Sequence, residues 1–206
     1  MTPRDILIMA AGKGTRMKSR LPKVLQRLAG RSLLQHVLDQ AAHLQARSAI
    51  VITGHGATEV EAASAGKQRA GGTFDPQFEL KFVRQEPQLG TGHAVQQALP
   101  QLRTDGTVLV LSGDVPLTQP ETLRALIAAS QSVVDDVHEG ALALLTVTLP
   151  EPGGYGRIVR STDGAVQGIV EHKDASAAQR AITEVYSGIL AVPARLLAPW
   201  LGRLTN

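Results

Sequence analysis

From Ile6 to Ala11 the chain reads Ile-Leu-Ile-Met-Ala-Ala with no polar break, and then meets Gly12. A half-exposed strand would alternate, so a short apolar run closed by glycine predicts a strand covered on both faces. Ala49–Thr53, stopped by Gly-His-Gly at 54–56, and Thr107–Leu111, stopped by "SGDVP", follow the same rule, and Leu80–Arg84 reads as a further strand. Between these runs the period lengthens. Leu33, Leu34, Val37, Leu38, Ala41 and Leu44 recur at three- and four-residue steps behind Ser32, which predicts a capped amphipathic helix over 32–46. Further helices are predicted over 57–65, from the 88–94 loop to about Leu99, and from Pro120, where Leu123, Leu126 and Ile127 supply a core face. The polar stretch 66–76 between them reads as a loop. Strand, loop and helix in repeated alternation imply parallel strands joined by crossover helices.

After residue 140 the pattern shifts. Ala141–Leu149 predicts one long strand, and two more flank Asp163-Gly164, a hairpin turn signal. A charged helix over 174–181, a strand at Val185–Val192 and a last helix at Pro193–Leu204 complete the reading. No internal repeat or low-complexity tract interrupts it. The expectation is one α/β domain with two lobes: a nucleotide-binding lobe of about 1–140 and a second of about 141–206 that closes over the other substrate.

Composition narrows the function. Of 206 residues, 43% are hydrophobic and 19% charged, as in a globular domain with a sizeable core. Aromatics at 3% argue against base stacking on nucleic acid, and no Lys/Arg block accompanies the net charge of +3. The mild basic excess favours anionic small molecules over nucleic acid or a membrane. With no cysteine, disulfides, thiolate metal sites and cysteine nucleophiles are excluded. No apolar run is long enough to span a bilayer, and the N-terminus does not read as a signal peptide. A cytoplasmic protein is expected.

The candidate chemistry begins at "MAAGKGTRM", residues 9–17. No earlier glycine stands at the spacing a Walker loop needs, and a dinucleotide fingerprint needs glycine where Met17 stands. What remains is a strand-to-loop turn with glycine-exposed amides, backed by Lys13, Arg16 and Lys23. It reads as an anion cradle, with a solvated glycine turn as the alternative. A triphosphate carries about four negative charges, and one cation at about 4 Å returns about 4 kcal/mol at an effective dielectric near 20. Several cations and a metal are therefore needed. Asp114, in "LSGDVP", follows a predicted strand and lies where open α/β sheets bind ligands. It suits magnesium beside phosphate oxygens, or else caps the next turn. In "QLGTGHA" (88–94) two glycines admit a ligand close to the backbone and Thr91 offers a hydroxyl; His93 reads as structural. "GYGRIV" and "GIVEHKD" close the two ends of the hairpin, as an exposed turn or as a site. No Ser–His–Asp or Cys–His arrangement is present.

In order along nearly the whole chain, "AAGKGTRM", "LPKVL", "LAGRSLLQHV", "QLGTGHA", "GDVPL", "GYGRIV", "GIVEHKDA" and "SGIL" resemble the sugar-nucleotide pyrophosphorylases. The resemblance is to the uridyltransferase domain of the bacterial bifunctional enzymes that make UDP-N-acetylglucosamine for peptidoglycan and lipopolysaccharide. It implies a Rossmann-like, mixed and mostly parallel α/β fold. It also implies a Mg2+-dependent transfer of UMP from UTP to N-acetylglucosamine 1-phosphate with release of pyrophosphate. The nucleophile is already a phosphate oxygen, so catalysis reduces to positioning and charge neutralisation.

By that resemblance Met9, Ala10, Ala11 and Gly12 hold the uracil and ribose side, and Arg16 and Lys23 neutralise the triphosphate as the catalytic cations. Gln85, Gly90 and Thr91 read the uracil and its neighbours. Ser112 and Gly113 flank the ribose and phosphates, Asp114 binds the metal, and Gly156 and Glu171 contact the N-acetylglucosamine moiety. Lys13 lines the loop. Three positions depart from the family pattern: Met9 stands for leucine, Ser112 for a frequent tyrosine, and Tyr186 for an asparagine facing the sugar. The family's second metal ligand is an asparagine, and the one asparagine here, Asn206, does not match its motif. The acetyltransferase β-helix that carries trimer contacts is absent from these residues, so the expectation is a monomeric, weakly active fragment of a homotrimeric parent. A nucleotidyltransferase for another base or sugar, or a non-catalytic nucleotide-binding module, remains open at this stage.

Overall fold

The computed structural model describes residues 2–14, 17–65, 78–132 and 140–204. Along the chain run β1 (Arg4–Ala10), β2 (Arg27–Leu28), β3 (Arg31–Ser32), α1 (Leu33–His43), β4 (Ser48–Thr53), α2 (Ala57–Ala65), β5 (Glu79–Arg84) and α3 (Thr91–Ala98). Then come β6 (Thr107–Ser112), α4 (Pro120–Ser130), β7 (Ala143–Thr148), β8 (Arg157–Arg160), β9 (Val166–Val170), α5 (Ala177–Arg180), β10 (Glu184–Pro193) and α6 (Ala194–Leu201). They form two compact units, Met1–Ala143 with Ala191–Asn206, and Leu144–Leu190.

In the first unit β1 lies between β4 and β6, parallel to both, and β5 extends the sheet beside β4. The three inner strands are those whose apolar runs do not alternate. β4 is buried at every position, whereas β5, at the edge, keeps its two end residues exposed. Ile6, Leu7, Ile8, Ile50, Ile52 and Leu109 are all fully buried, and each such side chain contributes about 2 kcal/mol. The register carries Met9 opposite Ile52 and Ser112, and Thr53 opposite Arg84. The carboxyl ends of four strands therefore finish level, and the loops after them share one edge. At the other edge Asp5 accepts from Ser48 Oγ at 2.7 Å and pairs with Arg47 at 2.5 Å, while Arg47 also reaches Asp105 at 2.9 Å.

Ser32 caps α1 as predicted, its Oγ accepting from Gln35 N at 3.1 Å. The helix ends at His43 rather than at 46, because Gln45 takes a left-handed φ of 52°. Pro120 occupies the first turn of α4, and Leu123, Leu126 and Ile127 are buried.

In the second unit β8 pairs antiparallel with β9 and, at Val185 opposite Arg157, with β10; β7 pairs with β10. Gly164 turns the β8–β9 hairpin at φ 87°. The helix expected over 174–181 is a single turn, Ala177–Arg180, because Asp174 N is taken by Glu171 O and Ser176 then starts the helix with a capping box. Parallel pairs in the first unit and antiparallel pairs in the second make the mixed α/β fold that the resemblance implied. The loop expected at 66–76 lies outside the described residues. No helix among the described residues is long and apolar enough to cross a membrane.

Candidate active site

A cavity of about 510 Å³ opens at the carboxyl ends of β1, β5 and β6. One wall is the strand-to-loop turn Met9, Ala10, Ala11, Gly12 and Gly14. The N–H groups of Gly12 and Lys13 donate to no backbone carbonyl among the described residues, so both are available to an anion. Gly14 stands at φ 58°, and a Cβ there would lie 3.0 Å from Lys23 Cβ. Glycine thus gives the turn its left-handed step and lets Lys23 pack against it. Arg16 lies outside the described residues. Lys13 is exposed and does not line the cavity.

The second wall comes from the loop after β5. Gln85 is buried, and its Nε2 donates to Gly90 O at 2.8 Å and approaches His93 Nδ1 at 3.3 Å. Gln97 Nε2, one turn along α3, lies 3.1 Å from His93 Nε2, so both ring nitrogens are engaged, and the Gln85 contact ties α3 to its loop. Gly90 and Thr91 line the cavity at the start of α3.

Sequence reasoning missed Gln88. Its Nε2 donates to Ala11 O at 2.9 Å and ties the second wall to the first. It also missed Gly54, where a Cβ would stand 2.4 Å from Gln88 Nε2, 2.9 Å from Ala11 Cβ and 3.0 Å from Ala11 O. Gln88 is the first residue of the "QLGTGHA" motif and Gly54 opens the Gly-His-Gly stop, and neither carries a charge that would have singled it out.

The floor carries the charges. Ser112 and Asp114 line the cavity after β6, and Lys23 reaches in from the 3-10 turn Lys23–Leu25. Lys23 Nζ and Asp114 Oδ2 form a salt bridge. Gly113 does not line the cavity. It packs beneath, donating to Met9 O at 2.9 Å, and a Cβ there would meet Met9 O at 3.0 Å and Val24 Cγ1 at 3.1 Å. Met17 and Val24 supply apolar lining. Among the described residues no cluster of three or more His, Asp or Glu side chains could hold a metal unaided. Among the described residues the cavity thus offers backbone amides, the Lys23 cation, the Asp114 carboxylate and the hydroxyls of Thr91 and Ser112, which suits binding and reorganising phosphate.

The second unit brings Gly156 and Glu171 together: a Cβ on Gly156 would stand 2.8 Å from Ile169 Cγ2 and 3.4 Å from Glu171 Oε1. Tyr186 N donates to Gly156 O at 2.9 Å, and burial pushes the Tyr186 phenol up to about 12.

Residues 6–150 match the family described as the MobA-like NTP transferase domain. The chain belongs to that family. Its full length is 71% identical to part of the bifunctional protein GlmU of Acidovorax sp. (strain JS42), and 69% identical to part of the same-named protein of Paracidovorax citrulli. The chain spans about 41% of the first of these relatives and 40% of the second. A solved structure of a Bacillus anthracis protein, described as a glucose-1-phosphate thymidylyltransferase in complex with a sucrose, superposes with a TM-score of 0.74. The superposition covers 98% of this chain and 76% of that one at 14% identity, a likeness of fold.

Proposed function

We propose that the chain transfers UMP from UTP to N-acetylglucosamine 1-phosphate, yielding UDP-N-acetylglucosamine and pyrophosphate. The observation that carries this reading is the Lys23–Asp114 pair, set on the floor of a cavity whose walls are a glycine turn and the Gln85–Thr91 loop. Opposite charges there match a reaction in which phosphate charge is both held and moved. The base and the sugar come from the motif resemblance, and membership of the NTP transferase family supports the reaction class. The working unit is one catalytic domain, with a nucleotide lobe over about 1–140 and a sugar lobe over about 141–206.

In this mechanism an oxygen of the sugar phosphate attacks the α-phosphorus of UTP in line. The new P–O bond forms as the bond to pyrophosphate breaks, and no side chain takes a proton. Met9–Gly12 bind the uridine side, with Gln88 fixing the Ala11 carbonyl and Gln85 fixing Gly90. Lys23, once it leaves Asp114, neutralises charge on the phosphates, and Arg16 is assigned to the same task. Asp114 is a single hard carboxylate, one quarter exposed and already facing a cation. These features fit Mg2+, which takes one or two carboxylates and completes its shell with phosphates and water. When bound, that ion would supply further neutralisation of phosphate charge. Gly156 and Glu171 are assigned to the sugar, the carboxylate accepting from its hydroxyls.

The direct test is pyrophosphate release. The chain is expected to release it only when UTP, N-acetylglucosamine 1-phosphate and Mg2+ are all supplied. Absence of release under those conditions overturns the reading. Tyr186, whose N–H donates to Gly156 O and which stands where the resembling family has an asparagine, favours a second reading, in which another sugar is used; sugar 1-phosphates assayed in parallel separate the two.

A further inference from the structure

Arg157, the first residue of β8, is 1% exposed and heads the largest fully buried side chains. A buried guanidinium would normally be met by a carboxylate. Among the described residues Arg157 forms no ion pair, and its Nε has no partner. Its Nη1 donates to Tyr155 O, and its Nη2 to His172 Nδ1 at 3.2 Å and Arg180 O at 3.5 Å. A guanidinium has only protons to offer, so Nδ1 of His172 accepts and that ring carries its proton on Nε2. A methionine or leucine of similar volume would avoid the desolvation cost, so stability alone does not account for an arginine here.

The acceptors lie on three segments: the entry to β8, the turn after β9 and the end of α5. Tyr155 and Arg157 bracket Gly156, and His172 follows Glu171. Arg180 Nε also donates to His172 O at 3.4 Å, and Asp174 N to Glu171 O at 3.0 Å, so the turn carrying Glu171 is held from both sides. The guanidinium therefore pins the neighbours of both residues of the Gly156–Glu171 pair while touching neither ligand position. We infer that Arg157 is a positioning residue, setting the spacing of Gly156 and Glu171 and through it the affinity for the sugar phosphate. The inference rests on the sugar-binding reading above.

The test compares Arg157→Lys, His172→Gln and His172→Leu with the unaltered protein. In Arg157→Lys the KM for the sugar phosphate is expected to rise about tenfold or more while that for UTP moves less than about twofold. His172→Gln keeps an acceptor and stays near the unaltered value, and His172→Leu rises several-fold. Amide exchange at Tyr186, whose N–H holds the Gly156 carbonyl, reads the positioning without any substrate and is expected to quicken about tenfold in Arg157→Lys. An unchanged sugar KM and unchanged Tyr186 exchange in folded Arg157→Lys overturn the inference, as do two KM values that rise in step. If Arg157→Lys does not fold, identical behaviour of His172→Leu and His172→Gln overturns it. If the unaltered protein releases no pyrophosphate, the functional reading falls, and the exchange measurement alone decides the role of Arg157.

Discussion

Lys23 Nζ rests on Asp114 Oδ2, so the cavity floor holds its lysine cation against its carboxylate. Both side chains keep solvent contact, at 37% and 26% exposure. A pair so placed contributes about 0–1 kcal/mol to stability. The same charges, turned to phosphate in a closed site, are worth several times that. Lys23→Ala and Asp114→Asn are therefore expected to leave the melting temperature within a few degrees of the starting value. Each is expected to lower kcat/KM for UTP by about 100-fold. Calorimetric melting with steady-state pyrophosphate release checks both halves. A large fall in stability with activity kept would show that the pair is structural.

Gly54 and Gln88 lie side by side at the Ala11 carbonyl, and the two substitutions there part in magnitude. In Gly54→Ala the new methyl faces Ala11 Cβ at 2.9 Å and its carbonyl at 3.0 Å, atoms that cannot move without moving the turn. Such overpacking costs about 1–3 kcal/mol. Gln88→Ala removes one hydrogen bond, worth about 1 kcal/mol, from a side chain with exposed surroundings. UTP binding by titration calorimetry is expected to weaken about tenfold in the first and a few-fold in the second. Gly54→Ala should also shift the melting temperature the further of the two. Equal effects would mean that the turn tolerates the added carbon.

What could be read from the sequence follows from which physics is local. β1, β4 and β6 announced themselves because strands covered on both faces need unbroken apolar runs, and Ser32 announced α1 because a cap acts three residues away. The end of α1 was not legible: Gln45 adopts the left-handed conformation that glycine usually marks, and Ala46 N reaches back to Ala41 O at 3.0 Å. Within the site, Asp114 and Lys23 were legible from charge and position. Gln88 was not, since its bond to Ala11 spans 77 residues and its side chain is neutral. The burial of Arg157 was not legible either, because nothing in a single arginine records that it will be buried.

Asp5 sets a pH dependence. Burial pushes its carboxyl up, but hydrogen bonds from Arg47 and Ser48 outweigh burial and hold it below the ordinary aspartate value. A depressed folded value means that this contribution is whole above the unfolded pKa, roughly 3.9, and is lost as pH falls through the lower folded one. Asp5→Asn is expected to cost about 2 kcal/mol near neutrality, less than a fully buried pair would, because Arg47 keeps Asp105. Urea unfolding at a series of pH values should show that gap constant down to about pH 4 and shrinking below it. A gap that widens in acid would reverse the assigned direction.

Tyr186 ties the sugar question to a measurable choice. Its phenol, pushed up to about 12 by burial, is not expected to titrate in the range where the reaction is assayed. Tyr186→Phe is accordingly expected to leave the pH–rate profile unchanged between about pH 6 and 10. Tyr186→Asn gives the residue type found in the resembling family and removes a partly buried ring, at a cost of about 2 kcal/mol. The ratio of kcat/KM for N-acetylglucosamine 1-phosphate over glucose 1-phosphate is expected to move about tenfold in the asparagine variant and less than threefold in the phenylalanine variant. Because Tyr186 N–H, not its ring, holds the Gly156 carbonyl, both variants keep that backbone bond. A changed ratio then reports contact between the side chain and the sugar, and an unchanged one in both removes Tyr186 from sugar selection.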